Sequence, residues 1–334
     1  MSGRAAEMEP ELLERDRETA ALSGWLAEVQ ATATGRIVLI AGEAGVGKTA
    51  LVHDLCERDP RVEVLRGACD PLITPAAMGP VADVAATLGG ATAELIGNGA
   101  RPYEVARALL RELSARPVTI VVIEDLHWVD DGTLDVLVYL VRRIKSVPAL
   151  VIGTYREDDL PAEHPFRTAL GRLATAPRFS RLSLRPLSRA AVAALAQRAG
   201  RDPEGLFAAS GGNPFYVCEL LAGPPGELPT TLRDAVLARA APLDTRARGL
   251  LDLVAVIPAE ADLWLLECAS ESGLAGLDDC VERGLLVRHA GAVRFRHELV
   301  RVVLERELGP GAAATLHRRL LGALELAGAV PARL

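Results

Sequence analysis

The chain has 334 residues, half of them hydrophobic and 24% charged, with a formal net charge of −7. That length has room for two or three compact units of about 100–150 residues, and the composition excludes a wholly disordered polymer. The acidic balance excludes bulk attraction to nucleic-acid phosphates or anionic membranes and leaves open only a local basic patch.

The charged N-terminus, MSGRAAEMEPELLERDRETAAL, lacks the apolar core of a signal peptide. No uncharged apolar run reaches the ~18 residues of a membrane span. Five scattered cysteines (Cys56, Cys69, Cys218, Cys268 and Cys280) form no C-x-x-C pair. They read as reduced core thiols, and the chain as a soluble, cytoplasmic protein.

Apolar, β-branched runs at 36–41, 62–67, 118–125 and 149–156 alternate with helical patterns such as YEVARALLRELSA and GTLDVLVYLVRRIKSV. Continuous apolar strands separated by helices predict an α/β domain over residues 1–180, a parallel sheet with helices on both faces. From Leu187 the texture shifts to Ala, Leu and Arg, which predicts helices over 181–225, ending at the Pro224–Pro225 break. Three short helices then precede two alternating runs that flank His289, Ala290 and Gly291. Helices followed by a small hairpin predict a winged-helix-like domain over 226–310, with a further helical region starting at 311–334.

Gly42, Glu43, Ala44, Gly45, Val46, Gly47, Lys48 and Thr49 match the phosphate-loop pattern G-x-x-x-x-G-K-[ST]. A buried strand precedes them, and a helix continues through Ala50. Glycines let the backbone N–H groups turn inward onto phosphates, and the helix N-terminus adds positive potential. Lys48 is expected to reach the β- and γ-phosphates, and the Thr49 hydroxyl to help hold Mg²⁺. A second acidic site must complete that arrangement, and VTIVVIED places Glu124 and Asp125 at a strand tip. One acid serves the metal and the other orients or deprotonates water. With Glu first, the order does not fix which does which.

The string IEDLHWVDDGTLDVL at 123–137 resembles the second motif of the signal-transducing ATPases with numerous domains, the STAND class. It looks most like that of the large ATP-binding LuxR-type transcriptional regulators of bacteria. LLERDRETAAL, RGACDPLITPAAMGPVADVAATL and LSLRPLSRAAVAAL resemble other segments of that family in order, so the likeness runs from about Leu12 to Leu326.

The resemblance implies an AAA-type P-loop NTPase core, a helical lid and a winged helix around ATP or ADP. It also implies a γ-phosphate sensor at Arg156 (with Thr154 beside it), an adenine contact at Pro214 and an ADP-locking histidine at His297. His127 and Trp128 are expected to serve packing and a supporting hydrogen bond. The implied function is a nucleotide switch with slow ATP hydrolysis and self-assembly in the ATP state, the regulatory module of a transcriptional regulator.

Family members carry a helical sensor and a DNA-binding helix-turn-helix beyond this module. The chain ends at Leu334, so an excised module, a truncated gene or a stand-alone relative is expected, and DNA binding is not carried over. The main alternative is an AAA-type motor or remodelling ATPase, which turnover rate would separate from a switch. A small-molecule kinase or a scaffold without nucleotide fits the residues less well.

Overall fold

The computed structural model describes residues 12–70, 76–160, 163–224 and 227–327. The charged segment 1–11, residues 71–75 of the second-strand region, Pro225 of the expected break and the terminal residues 328–334 lie outside the described residues. Two compact units divide the chain, residues 1–185 and 186–334.

The first unit begins with α1 (Asp16–Thr32), β1 (Arg36–Ala41), α2 (Lys48–Arg58) and β2 (Glu63–Ala68). Then come α3 (Gly79–Leu88), α4 (Ala91–Gly97), α5 (Pro102–Ser114) and β3 (Thr119–Glu124). It closes with α6 (Asp131–Val141), β4 (Ala149–Tyr155), α7 (Pro165–Leu173) and β5 (Phe179–Ser183). The strands form one parallel sheet in the order β2-β3-β4-β1-β5.

The three central strands are almost continuously buried, as a sheet covered on both faces requires. One face packs Leu39, Leu65, Val121 and Val151 against residues of α3, α5, α6 and α7. The other packs Val38, Ile40, Val122 and Ile152 against α1 and α2. The sheet therefore agrees with the expected α/β class.

One strand was not anticipated. β5, FSRLS, straddles residue 180 and pairs with β1 from Ile37↔Phe179 to Ala41↔Ser183. It is an edge strand with polar and exposed positions, so it lacks the unbroken apolar signature of the interior strands.

The second unit contains α8 (Arg189–Arg198), α9 (Leu206–Ser210), α10 (Pro214–Ala222), α11 (Thr230–Ala240) and α12 (Thr245–Ala255). After them come β6 (Ala261–Asp262), α13 (Leu263–Ala269), α14 (Leu277–Glu282), β7 (Leu286–His289), β8 (Ala292–Phe295), α15 (Glu298–Glu307) and α16 (Pro310–Leu326). Ser188 and Asp244 cap α8 and α12 by accepting from Ala191 N and Ala247 N, the local chemistry that starts a helix. Leu250, Leu251, Val254, Leu266 and Leu320 lie in its core.

The antiparallel β7–β8 hairpin turns through Ala290 and Gly291, both at positive φ, as a tight two-residue hairpin demands. β6 adds a third strand, giving the order β6-β8-β7. It is two residues long, below what an alternating pattern can reveal.

Candidate functional site

In the first unit, the C-terminal ends of β1, β3 and β4 lie side by side, with Ala41 opposite Tyr155 and Ile123 opposite Gly153. In parallel α/β sheets, ligand sites gather at this edge. The loop from Gly42 to Gly47 leaves β1 there and runs into α2. Gly47 is the N-cap of α2 at φ 100°, a conformation that a Cβ strains. At Gly42, φ is 153°, and an added Cβ would stand 2.8 Å from Val46 Cγ1 and 3.1 Å from the Leu184 carbonyl oxygen. The loop is thus closed by packing as well as by torsion, with Val46 fully buried beneath it.

Lys48 opens α2 and is 7% exposed. Its ammonium donates to the carbonyl oxygens of Gly42 and Glu43, each at 2.8 Å. Burial lowers the Lys48 pKa to about 8, the charge of Arg156 adds to the effect, and Asp125, Asp159 and Glu43 oppose it. Thr49, exposed on the next position, donates its hydroxyl to Glu124 Oε2 at 2.9 Å. Glu124 also lies 3.8 Å from Arg66.

Asp125 occupies the left-handed region at φ 57°, which Asp tolerates better than most residues. Its N–H donates to the buried Thr154 Oγ1 at 3.1 Å. The chain thus turns sharply between the two acids, and only Glu124 is placed on Thr49. His127 follows, 2% exposed, with Nδ1 3.8 Å from Asp125 Oδ1 and Nε2 3.8 Å from Asp159 Oδ2. Burial, then the charges of Arg156 and Lys48, pushes its pKa down to about 3, so the imidazole is neutral. Arg156 donates to the same Asp159 Oδ2 at 3.1 Å.

The structure brings Gly42 through Ala50, Glu124, Asp125, Thr154 and Arg156 to one edge of the sheet. Pro214 and His297 belong to the second unit. Pro214 is the first residue of α10, behind the Asn213 side chain that accepts from Phe215 N. His297 is the buried N-cap of α15. Its ring meets Tyr216 edge-on at 5.0 Å, and an added Cβ on Gly211 would stand 2.6 Å from its Nδ1. His297 therefore packs against the turn that carries Gly211 and Pro214.

Three residues had no role assigned from the sequence. Arg15, 5% exposed, donates to the Val46 carbonyl oxygen at 3.1 Å and to that of Arg185 at 2.7 Å. Asp159 lies just beyond the end of β4. Asp130 caps α6 by accepting from Thr133 N, and its Oδ1 also accepts from Met78 N at 2.9 Å. An N-cap signal, Asp before a helix-like run, was available for Asp130; Arg15 and Asp159 carry no local signal.

Among the described residues no group of three or more His, Cys, Asp or Glu is placed to hold a metal ion by itself. Thr49 and Glu124 instead present a hydroxyl and a carboxylate edge to edge. That hard-oxygen pair suits a magnesium ion completed by phosphate oxygens and water. Buried Lys48, the positive-φ glycines and this pair all fit a nucleotide polyphosphate with its metal.

Residues 11–152 match the family model of the AAA ATPase domain. The matched stretch contains the phosphate loop and both acids at the β3 tip. An uncharacterized protein of Rhizobium meliloti (strain 1021) is 28% identical over 87% of this chain. The chain spans about a third of that relative's length, 35%.

The Walker-type ATPase of Pyrococcus abyssi aligns over 87% of this chain and 95% of its own, with a TM-score of 0.57 at 16% identity. The Aeropyrum pernix ORC1 protein, solved in complex with DNA, aligns over 91% and 94%, with a TM-score of 0.50 at 17% identity. At these identities the likeness is one of fold: an α/β core with a central parallel sheet flanked by helices, as in P-loop NTPases. No helix among the described residues is long and apolar enough to cross a membrane.

Proposed function

We propose that this chain is an ATP/ADP-binding switch of the STAND type, the regulatory module of a LuxR-type transcriptional regulator, with slow ATP hydrolysis. The observation that carries the reading is Lys48. It is a buried ammonium on a glycine loop at the C-terminal edge of a parallel sheet, with the Thr49–Glu124 pair beside it. A buried cation is costly without an anionic partner, and a polyphosphate offers a stronger one than two carbonyl oxygens.

In this reading Gly42 through Ala50 cradle the phosphates, and Thr49 and Glu124 hold Mg²⁺, which neutralises phosphate charge when bound. Asp125, turned away from Thr49, orients the attacking water. Arg156 senses the γ-phosphate. Residues 181–225 act as lid through Pro214, and the hairpin unit at 226–310 acts as a winged helix through His297. The last two roles rest on the resemblance of GGNP and RHEL to the family motifs. Self-assembly in the ATP state and placement in the cytoplasm belong to the same reading.

The test is to purify the protein, denature it and identify released nucleotide by chromatography, with Lys48→Ala as control. Near-stoichiometric ADP from the wild type alone supports a closed, ADP-holding switch. If the wild type then fails to bind either nucleotide on titration, the reading is wrong. Turnover of many ATP per second would favour a motor instead.

A further inference from the structure

Asp159 has a place in this site that no motif assigned. Its Oδ2 accepts from Arg156 Nη1 at 3.1 Å and stands 3.8 Å from His127 Nε2. The imidazole is neutral, so the positive charge on that carboxylate comes from Arg156. The Asp159 side chain is 17% exposed and that of Arg156 is 35% exposed, which leaves the pair only partly screened by water. Both charges also act on Lys48 from opposite directions, Arg156 lowering and Asp159 raising its proton affinity. The pair therefore lies within electrostatic reach of the ammonium that a nucleotide phosphate would meet.

We propose that Asp159 sets nucleotide preference: it holds Arg156 in an internal ion pair that must open for a triphosphate but not for a diphosphate. This rests on the nucleotide reading of the loop given above. A γ-phosphate near Lys48 finds Arg156 already engaged: the guanidinium must leave the Asp159 carboxylate before it can pair with the phosphate. ADP brings no third phosphate and leaves the Arg156–Asp159 pair intact. The resting site accordingly favours ADP, and the pair acts as a threshold that ATP overcomes by moving one guanidinium from carboxylate to phosphate. Asp159 is a positioning residue, since it acts through Arg156.

The experiment measures ATP and ADP dissociation constants for wild type, Asp159→Asn, Arg156→Ala and the double variant, with thermal unfolding to confirm folding. Asp159→Asn should tighten ATP by about tenfold, the size of one charged hydrogen bond, with ADP shifting less than about twofold. On the Arg156→Ala background the same change should lose most of its effect. Asp159→Glu, which keeps a carboxylate, should stay within about threefold of wild type.

An unchanged ATP/ADP ratio in Asp159→Asn overturns the proposal, as does a ratio change that persists without Arg156. If Asp159→Asn fails to fold, Asp159→Ser takes its place under the same criteria. Wild-type protein that binds neither nucleotide would instead refute the underlying reading of the loop, an outcome distinct from a flat ratio.

Discussion

Thr49 Oγ1 donates to Glu124 Oε2 at 2.9 Å, joining the first turn of α2 to the tip of β3 across 75 positions of sequence. Asp125, the next residue, turns through φ 57° and is tied to Thr154 instead. The two adjacent acids are therefore not interchangeable. Glu124 faces the Thr49 hydroxyl, where a phosphate-bound magnesium is expected, while Asp125 lies over β4 and His127.

Glu124→Gln should weaken nucleotide binding by about tenfold in the presence of Mg²⁺ and leave binding in EDTA nearly unchanged, the loss expected for one charged oxygen ligand. Asp125→Asn should keep the Mg²⁺-dependent affinity and lower the hydrolysis rate by ~10²-fold, the usual span of a general-base contribution. Titration with and without Mg²⁺, plus single-turnover hydrolysis, checks both. Equal effects of the two substitutions on Mg²⁺-dependent binding would mean that the acids share the metal.

The Lys48 ammonium gives the site a pH dependence. Burial, then the charge of Arg156, holds its pKa at about 8. Phosphate binding requires the protonated form and raises its proton affinity. Nucleotide affinity should therefore be level below pH 8 and fall toward tenfold per pH unit above it. Binding near pH 8 should be accompanied by proton uptake. Calorimetry in buffers of different ionisation enthalpy measures that proton directly. For the nucleotide-free protein the sign reverses: the depressed pKa means that the unfolded chain binds more protons above pH 8, so the destabilisation caused by burying this group, full below pH 8, is relieved as pH rises from there.

The loop, the acids and the central strands were legible because each is a local pattern. Glycine spacing specifies the turn, and β-branched runs specify buried strands. The different placement of Glu124 and Asp125 was not legible, because it depends on one residue adopting positive φ at a strand end. β5 was missed because an edge strand keeps Arg181 and Ser183 exposed and breaks the apolar run. Arg15 was hidden more deeply still, since two of its three acceptors lie 31 and 170 positions away.

Arg15 leads to a prediction of its own. Its guanidinium bridges the Val46 carbonyl oxygen in the phosphate loop and the Arg185 carbonyl oxygen beyond β5. Arg15→Met keeps much of the aliphatic packing but leaves two carbonyls short of a charged donor. The expected cost is about 2–4 kcal/mol of stability in the first unit. It should be accompanied by weaker nucleotide binding as the loop loosens. Urea denaturation followed by a probe in the first unit checks the stability. An unchanged midpoint would mean that water replaces both bonds.

In the second unit, Gly211 sits at φ 61°, and a Cβ there would stand 2.6 Å from His297 Nδ1. Gly211→Ala therefore meets both backbone strain and a buried ring, and should destabilise the unit by about 2–3 kcal/mol. His297→Ala removes the ring and its edge-on contact with Tyr216, at a cost of its own. Because the added methyl then fits the space the imidazole left, the double variant should be more stable than the sum of the single effects predicts. A coupling of ~1 kcal/mol would show that the clash with His297 is the main defect. Strict additivity would place the whole cost of Gly211→Ala in its backbone conformation, and His297 would then have room to move.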